Sequence, residues 1–259
     1  MSDSDLVLAS VSKTFGGLRA LSDVSFRVPR KSIFGVIGPN GAGKTTLFNL
    51  ITGVYGVDHG GFIKLGALDL VGLAPAAIAA AGVARTFQNI RLFARLTVLE
   101  NVLVATETTR RTHLFAALAR TRAFHDDEAD MAKRGLDLLA VFGLADVADT
   151  PATALSYGDQ RRLEIARAMM LGPKVLLLDE PAAGMSHGEA EALKTQIRWL
   201  RDDLGVTVIL VEHNMQVVMG VCDEIHVLDR GETIAHGTPE AIRKDPKVLA
   251  AYLGEESGA

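Results

Sequence analysis

One short string constrains this chain more than any bulk property. Gly38-Pro39-Asn40-Gly41-Ala42-Gly43-Lys44-Thr45 fits G-x-x-x-x-G-K-[ST] without a mismatch, after an apolar run at residues 32–37 and before a helical pattern at residues 45–52. That context is what a phosphate cradle needs. Glycines let backbone N–H groups turn inward around anionic oxygens, and the helix that follows aims its positive end at the same charge. Lys44 is expected to reach the β- and γ-phosphates of a nucleoside triphosphate, and the Thr45 hydroxyl to ligate Mg2+. The candidate nucleotide-binding residues are therefore Gly38, Pro39, Asn40, Gly41, Ala42, Gly43, Lys44, Thr45 and the adjoining Thr46.

A second feature completes the chemistry. Residues 175–178 are continuous Val and Leu, as expected of a strand buried on both faces of a parallel sheet, and they run directly into Asp179 and Glu180. An apolar strand ending in Asp is how a phosphate-loop protein holds the second side of its Mg2+. Glu180, one residue on, is expected on the opposite side of the strand line, where it suits a base or orienter for attacking water.

The rest of the chain alternates short β-like runs with helical patterns. Residues 24–28 read as a strand ended by Pro29, and 206–211 as another buried strand. Residues 225–228 and 233–235 read as a hairpin turning at the charged tetrapeptide 229–232. Between 96 and 153 the pattern is helical, with no convincing strand. A basic patch there (Arg110, Arg111, Arg120, Arg122) precedes an acidic one (Asp126, Asp127, Glu128, Asp130), and both read as a solvated helical face, with contact with a partner as the alternative. The expected organisation is one domain over 1–259. Its sheet-based core spans 1–95 and 154–240, a helical subdomain is inserted at 96–153, and a helix or tail occupies 241–259.

Bulk properties exclude some alternatives. A formal charge of −4 argues against a nucleic-acid binder relying on positive charge. Cys222 is the only cysteine, so no intrachain disulfide can form and a reducing compartment fits. The first residues are acidic where a secretory signal would be basic and then apolar. No run approaches the ~20 apolar residues that span a bilayer, and the Ala-rich stretch 73–84 is interrupted by Pro75 and Gly82. Membrane association is therefore expected through partners.

Several further strings resemble the ABC-transporter ATPase family over essentially the whole chain, and the main ones occur in the family's order: phosphate loop, Gln88, signature, acidic strand, His213. Leu155-Ser156-Tyr157-Gly158-Asp159-Gln160 is similar to the family's signature loop, usually LSGGQ, with Tyr157 and Asp159 as departures. The helix after it, read as residues 161–170, would point its N-terminus at a γ-phosphate bound by the opposite subunit. The resemblance thus implies that Ser156, Tyr157, Gly158, Asp159 and Gln160 serve the partner's ATP. Gln88, within Arg85-Thr86-Phe87-Gln88, matches the family's Q-loop, implying contact with Mg2+ and a connection to a transmembrane partner. His213 matches the switch histidine at the γ-phosphate, and Phe15 the ring that stacks on adenine. Ala183-Gly184-Met185-Ser186 occupies the D-loop position, which couples the two sites, but departs from the common SALD pattern. The implied catalytic set is Glu180, His213, Lys44 and Gln88, and the implied metal set Thr45, Gln88 and Asp179. The fold implied is α/β: a P-loop NTPase (RecA-like) core with an antiparallel β edge subdomain and an inserted α-helical subdomain.

Within the family, residues 84–93, 96–102, 157–167 and 179–185 and the tail 251–255 resemble the ATPases of branched-chain amino acid importers, the LivG-like branch, which implies powering the uptake of leucine, isoleucine or valine or of a related small solute. That implies two transmembrane permease subunits, a second ABC ATPase in a homo- or heterodimer, and indirectly an extracytoplasmic solute-binding protein, with no nucleic acid. The expected place is the cytoplasmic face of the inner membrane, held there by the permeases. Alternatives are the ATPase of a lipopolysaccharide exporter, which shares the Tyr-Leu-Gly-Glu ending, and a soluble non-transport ABC ATPase.

Overall fold

A computed structural model describes residues 5–58, 60–86, 90–107 and 122–256. Its organising element is β3 (Ile33–Ile37), every residue of which is buried. It lies between β8 (Thr207–Val211) and β9 (Glu224–Asp229), parallel to both. Beyond β8 come β7 (Val175–Asp179) and β6 (Val83–Arg85), also parallel, and β10 (Glu232–Gly237) closes the other edge antiparallel to β9. Strands buried on both faces need apolar residues at every position, which is why β7 and β8 appear in the sequence as unbroken Val/Leu/Ile runs.

The two faces of this sheet pack on different layers. Leu176, Leu178, Val208 and Leu210 face a helical layer, while Val175, Leu177, Ile209 and Val211 face the opposite side. That second side is covered by α1 (Lys44–Ile51) and an antiparallel sheet of order β2-β1-β4-β5. Its strands are β1 (Leu6–Phe15), β2 (Leu18–Val28), β4 (Phe62–Leu65) and β5 (Leu68–Asp69). The expected strand at 24–28 is thus the end of a longer one. The hairpin expected around 229–232 forms, but its turn is the two residues Arg230 and Gly231, at φ 48° and 82°.

A short α2 (Pro75–Ala80) precedes β6. The helical region holds α3 (Val98–Glu107) and α4 (Arg122–Val141), followed by one-turn 3-10 segments at Ala145–Val147 and Ala152–Ala154. Among its described residues there is no strand, only an isolated bridge between Thr97 and Pro151. Arg110, Arg111 and Arg120 lie outside the described residues, while Glu128 and Asp130 are exposed. α5 spans Tyr157–Met170, so it starts four residues before the expected 161, inside the signature string. α6 (His187–Asp202), α7 (Met215–Val221), α8 (Pro239–Lys244) and α9 (Pro246–Glu256) complete the chain. Among the described residues, no helix is long and apolar enough to cross a membrane.

Candidate nucleotide-binding site

The phosphate loop joins the end of β3 to the start of α1, whose Leu47, Phe48, Leu50 and Ile51 are buried and anchor the helix. Gly43, at φ 101°, immediately precedes the helix, and a Cβ there would lie 2.7 Å from both the Ala20 carbonyl oxygen and Leu21 Cδ2. Only glycine fits that position. The β9–β10 hairpin buttresses the loop: Gly231 N donates to Ala42 O at 3.1 Å, and Ser22 N to Gly231 O at 2.8 Å. Lys44 folds back so that its ammonium donates to Gly38 O at 2.5 Å and Pro39 O at 2.8 Å. The ammonium is therefore held against the loop backbone, at the start of a helix whose N-terminus has no side-chain cap. Thr45 is exposed and Thr46 half-buried, both in the first turn.

Phe15 ends β1 and is 40% exposed. Tyr55, which the sequence did not single out, meets it edge-on at a centroid distance of 5.1 Å. Lys13 Nζ sits 5.4 Å from the Phe15 centroid. The pair forms a partly exposed aromatic surface.

At the end of β7, Asp179 is buried and held by Arg85 Nη2 at 2.8 Å, while Arg85 Nη1 donates to Asn49 Oδ1 on α1 at 2.7 Å. Glu180 does not continue the strand pleat as expected. It turns off at φ 50°, a left-handed conformation costing a non-glycine residue on the order of 1 kcal/mol. Its amide donates to Val211 O at 2.8 Å. The turn brings the Glu180 carboxylate to 3.8 Å from His213 Nδ1. Glu212, beside the histidine, is a residue that sequence reasoning missed. It is 1% exposed, and its carboxylate accepts from the amides of Ala182 (2.8 Å), His213 (3.0 Å) and Asn214 (2.9 Å).

The signature string begins with Leu155, and its Ser156 is the N-cap of α5. The Ser156 hydroxyl accepts from Asp159 N at 3.1 Å and donates to Asp159 Oδ2 at 2.7 Å, and Asp159 pairs with Arg162 at 2.7 Å. A side chain at Gly158 would displace the Glu189 carboxylate, because a Cβ would lie 2.5 Å from Glu189 Oε1. Tyr157 is half exposed and accepts from Arg161 at 2.8 Å, with its ring against Gly184 of the D-loop position. Gln160 donates to Leu155 O at 3.0 Å.

Phe87, Gln88 and Asn89 lie outside the described residues. The chain re-emerges at a groove of about 380 Å3 between core and helical region, lined by Val54, Ile78, Arg85, Phe93, Glu164 and Arg167 among others. Asn101 pins the loop at its rim, accepting from Phe93 N at 2.8 Å and donating to Thr97 O at 2.9 Å.

Among the described residues, no cluster of three or more His, Cys, Asp or Glu is placed to hold a metal unaided. A carboxylate and a hydroxyl beside a phosphate cradle instead suit Mg2+, which takes one or two protein oxygens and completes its shell with phosphate and water.

The sheet, the loop and the folded-back lysine define a phosphate-loop nucleotide-binding protein. A family described as ABC transporter matches residues 21–183, and one described as branched-chain amino acid ATP-binding cassette transporter matches residues 232–257. The chain is 46% identical to the high-affinity branched-chain amino acid transport ATP-binding protein LivG of Salmonella typhimurium, covering 98% of this chain and 100% of that one. Identity and coverage are the same for BraF of Pseudomonas aeruginosa, which carries the same description. The crystal structure of the ADP conformation of MJ1267, an ATP-binding cassette of an ABC transporter, superposes with a TM-score of 0.83 at 30% identity, covering 97% of this chain and 99% of that one. The chain belongs to the ABC transporter ATP-binding family, whose members bind nucleotide and are ATPases.

Proposed function

We propose that this chain is a motor subunit of an importer for branched-chain amino acids, working beneath two permease subunits and beside a second ABC ATPase. The observation that carries the solute assignment is the match of residues 232–257 to branched-chain amino acid cassettes, in a chain that also bears the phosphate loop. Full-length identity of 46% to a transport protein for those solutes supports it.

In this reading Phe15 receives adenine. The Gly38–Thr46 segment and Lys44 hold the phosphates, and Thr45, Asp179 and Gln88 hold Mg2+. The bound cation supplies neutralisation of phosphate charge. Glu180 orients and polarises the attacking water, and His213, 3.8 Å from it, contacts the γ-phosphate. Ser156, exposed at the N-terminus of α5, and Gly158, buried in its first turn, serve nucleotide held by the opposite subunit. ATP then closes a dimer because it touches both subunits only in the closed form, and hydrolysis removes that tether. The largely apolar groove, lined in part by Arg85 and Phe93, supports docking of a permease element. The chain would sit at the cytoplasmic face of the membrane through that contact, with a solute-binding protein acting on the far side.

The test is an affinity pull-down from detergent-solubilised native membranes with all partners identified by mass spectrometry, followed by leucine, isoleucine and valine uptake with and without the subunit. Two different permeases, a second ATPase and uptake that depends on this chain are expected. Exporter components, or uptake unaffected by its loss, would remove the importer assignment.

A further inference from the structure

Glu212 joins two segments whose separate roles were proposed above, and the inference here rests on that reading. Ala182 lies two residues after Glu180 and directly precedes the D-loop position, residues 183–186. His213 and Asn214 follow β8 on the neighbouring strand line. The Glu212 carboxylate lies between them, one oxygen accepting from Ala182 N and the other from both His213 N and Asn214 N. It is 1% exposed, so these bonds are made without competing water. The bridge spans 30 residues of sequence. α7 has its own cap, since the Asn214 side chain accepts from Gln216 N and Val217 N. Glu212 is therefore not needed to start that helix.

We propose that Glu212 is a positioning residue that sets the separation of Glu180 and His213 by tying the backbone that leads into the D-loop position to the switch-histidine backbone. A displacement of the D-loop by the opposite subunit then reaches His213 through one carboxylate. Dimer contact and the hydrolytic geometry are linked within the subunit by this route.

Two variants separate this role from simple capping. Glu212→Gln replaces one acceptor oxygen with a donor facing a backbone N–H, so it breaks one arm of the bridge. Glu212→Asp keeps the charge and can still serve the adjacent His213 and Asn214 amides, but is one methylene too short to reach Ala182. Both are measured in the full chain for ATPase rate, KM, nucleotide affinity and melting temperature. The expected result is kcat lowered about tenfold or more in both, as for loss of a well-oriented catalytic group, with KM and nucleotide affinity within about threefold of the parent. Adding His213→Ala to Glu212→Gln is expected to cost little more, since both changes act through the same histidine. Glu212→Asp turning over at the parental rate would overturn the proposal, as would His213→Ala showing its full separate effect in the Glu212→Gln background. A parent chain whose turnover survives Glu180→Gln would instead count against the catalytic reading on which this rests.

Discussion

Arg85 donates to Asp179 at 2.8 Å with the two side chains only 8% and 3% exposed, and its other arm reaches Asn49 at 2.7 Å. The guanidinium also lies 5.4 Å from the centroid of Phe48. One side chain thus ties the strand entering the Gln88 segment to the acidic strand end and to the phosphate-loop helix. Arg85→Leu leaves a buried carboxylate without its cation and is expected to destabilise the fold by roughly 3–5 kcal/mol. Arg85→Lys keeps the charge but not the planar fork, so it restores only part of that loss. Urea unfolding of both variants reads the difference, and a leucine variant as stable as the parent would show that the pair is not holding these elements together.

Glu180 sits in a left-handed conformation that presents its carboxylate toward His213. If it polarises the attacking water, Glu180→Gln should lower ATP turnover by about 10²–10⁴-fold while leaving nucleotide binding intact. The unhydrolysed ATP should then hold a dimer visible by size-exclusion chromatography. Near-parental turnover would remove Glu180 from this role.

Features that depend on adjacent residues were legible in the sequence, and those that depend on distant ones were not. The phosphate loop was readable because its glycines and Lys44 must stand at fixed spacing on one strand–loop–helix. β7 and β8 were readable because burial on both faces forces unbroken apolar runs. β1 was not, since register shifts after Leu8 and again after Val11 break the alternation that marks a half-buried strand. The start of α5 was hidden because Tyr157 and Gly158 are poor helix formers, and Ser156 compensates as a cap. Glu212 and Arg85 carried no local signal, because Ala182 and Asp179 lie 30 and 94 residues away in sequence.

His226 on β9 is 1% exposed, with the rings of Phe26 and Phe34 at 4.6 and 6.4 Å, and Thr233 Oγ1 2.9 Å from its Nε2. Burial, with a smaller contribution from nearby His236, pushes its pKa down to about 4 from 6.5. Between those values the unfolded chain takes up a proton that the folded one refuses. The stability associated with this group is therefore complete above about pH 6.5 and falls as pH drops toward 4, by on the order of 3 kcal/mol in total. His226→Phe should flatten the stability-versus-pH curve between pH 7 and 5. Urea midpoints at the two pH values give the slope, and an unchanged slope would exclude His226 as its source.

Asp159 engages the Ser156 hydroxyl as an acceptor at 2.7 Å, so that proton is committed within the subunit rather than offered outward. Arg162 offsets the carboxylate from its other side, yet the negative charge still stands at the helix end proposed to meet the partner's γ-phosphate. Two effects oppose each other here. A carboxylate in the first turn stabilises α5 by about 0.3–1 kcal/mol through the helix dipole. The same charge disfavours an approaching polyanion and ties up a hydroxyl donor. The phosphate carries more charge than the helix end, so the second effect should win once ATP is present. Asp159→Gln is therefore expected to lower thermal stability slightly and to tighten the ATP-bound dimer about three- to tenfold, equivalent to roughly 1 kcal/mol. Sedimentation in the Glu180→Gln background measures this without turnover. A weaker dimer would mean that the acidic signature assists closure, with the Asp159–Arg162 pair, not the Ser156 hydroxyl alone, forming the surface the partner meets.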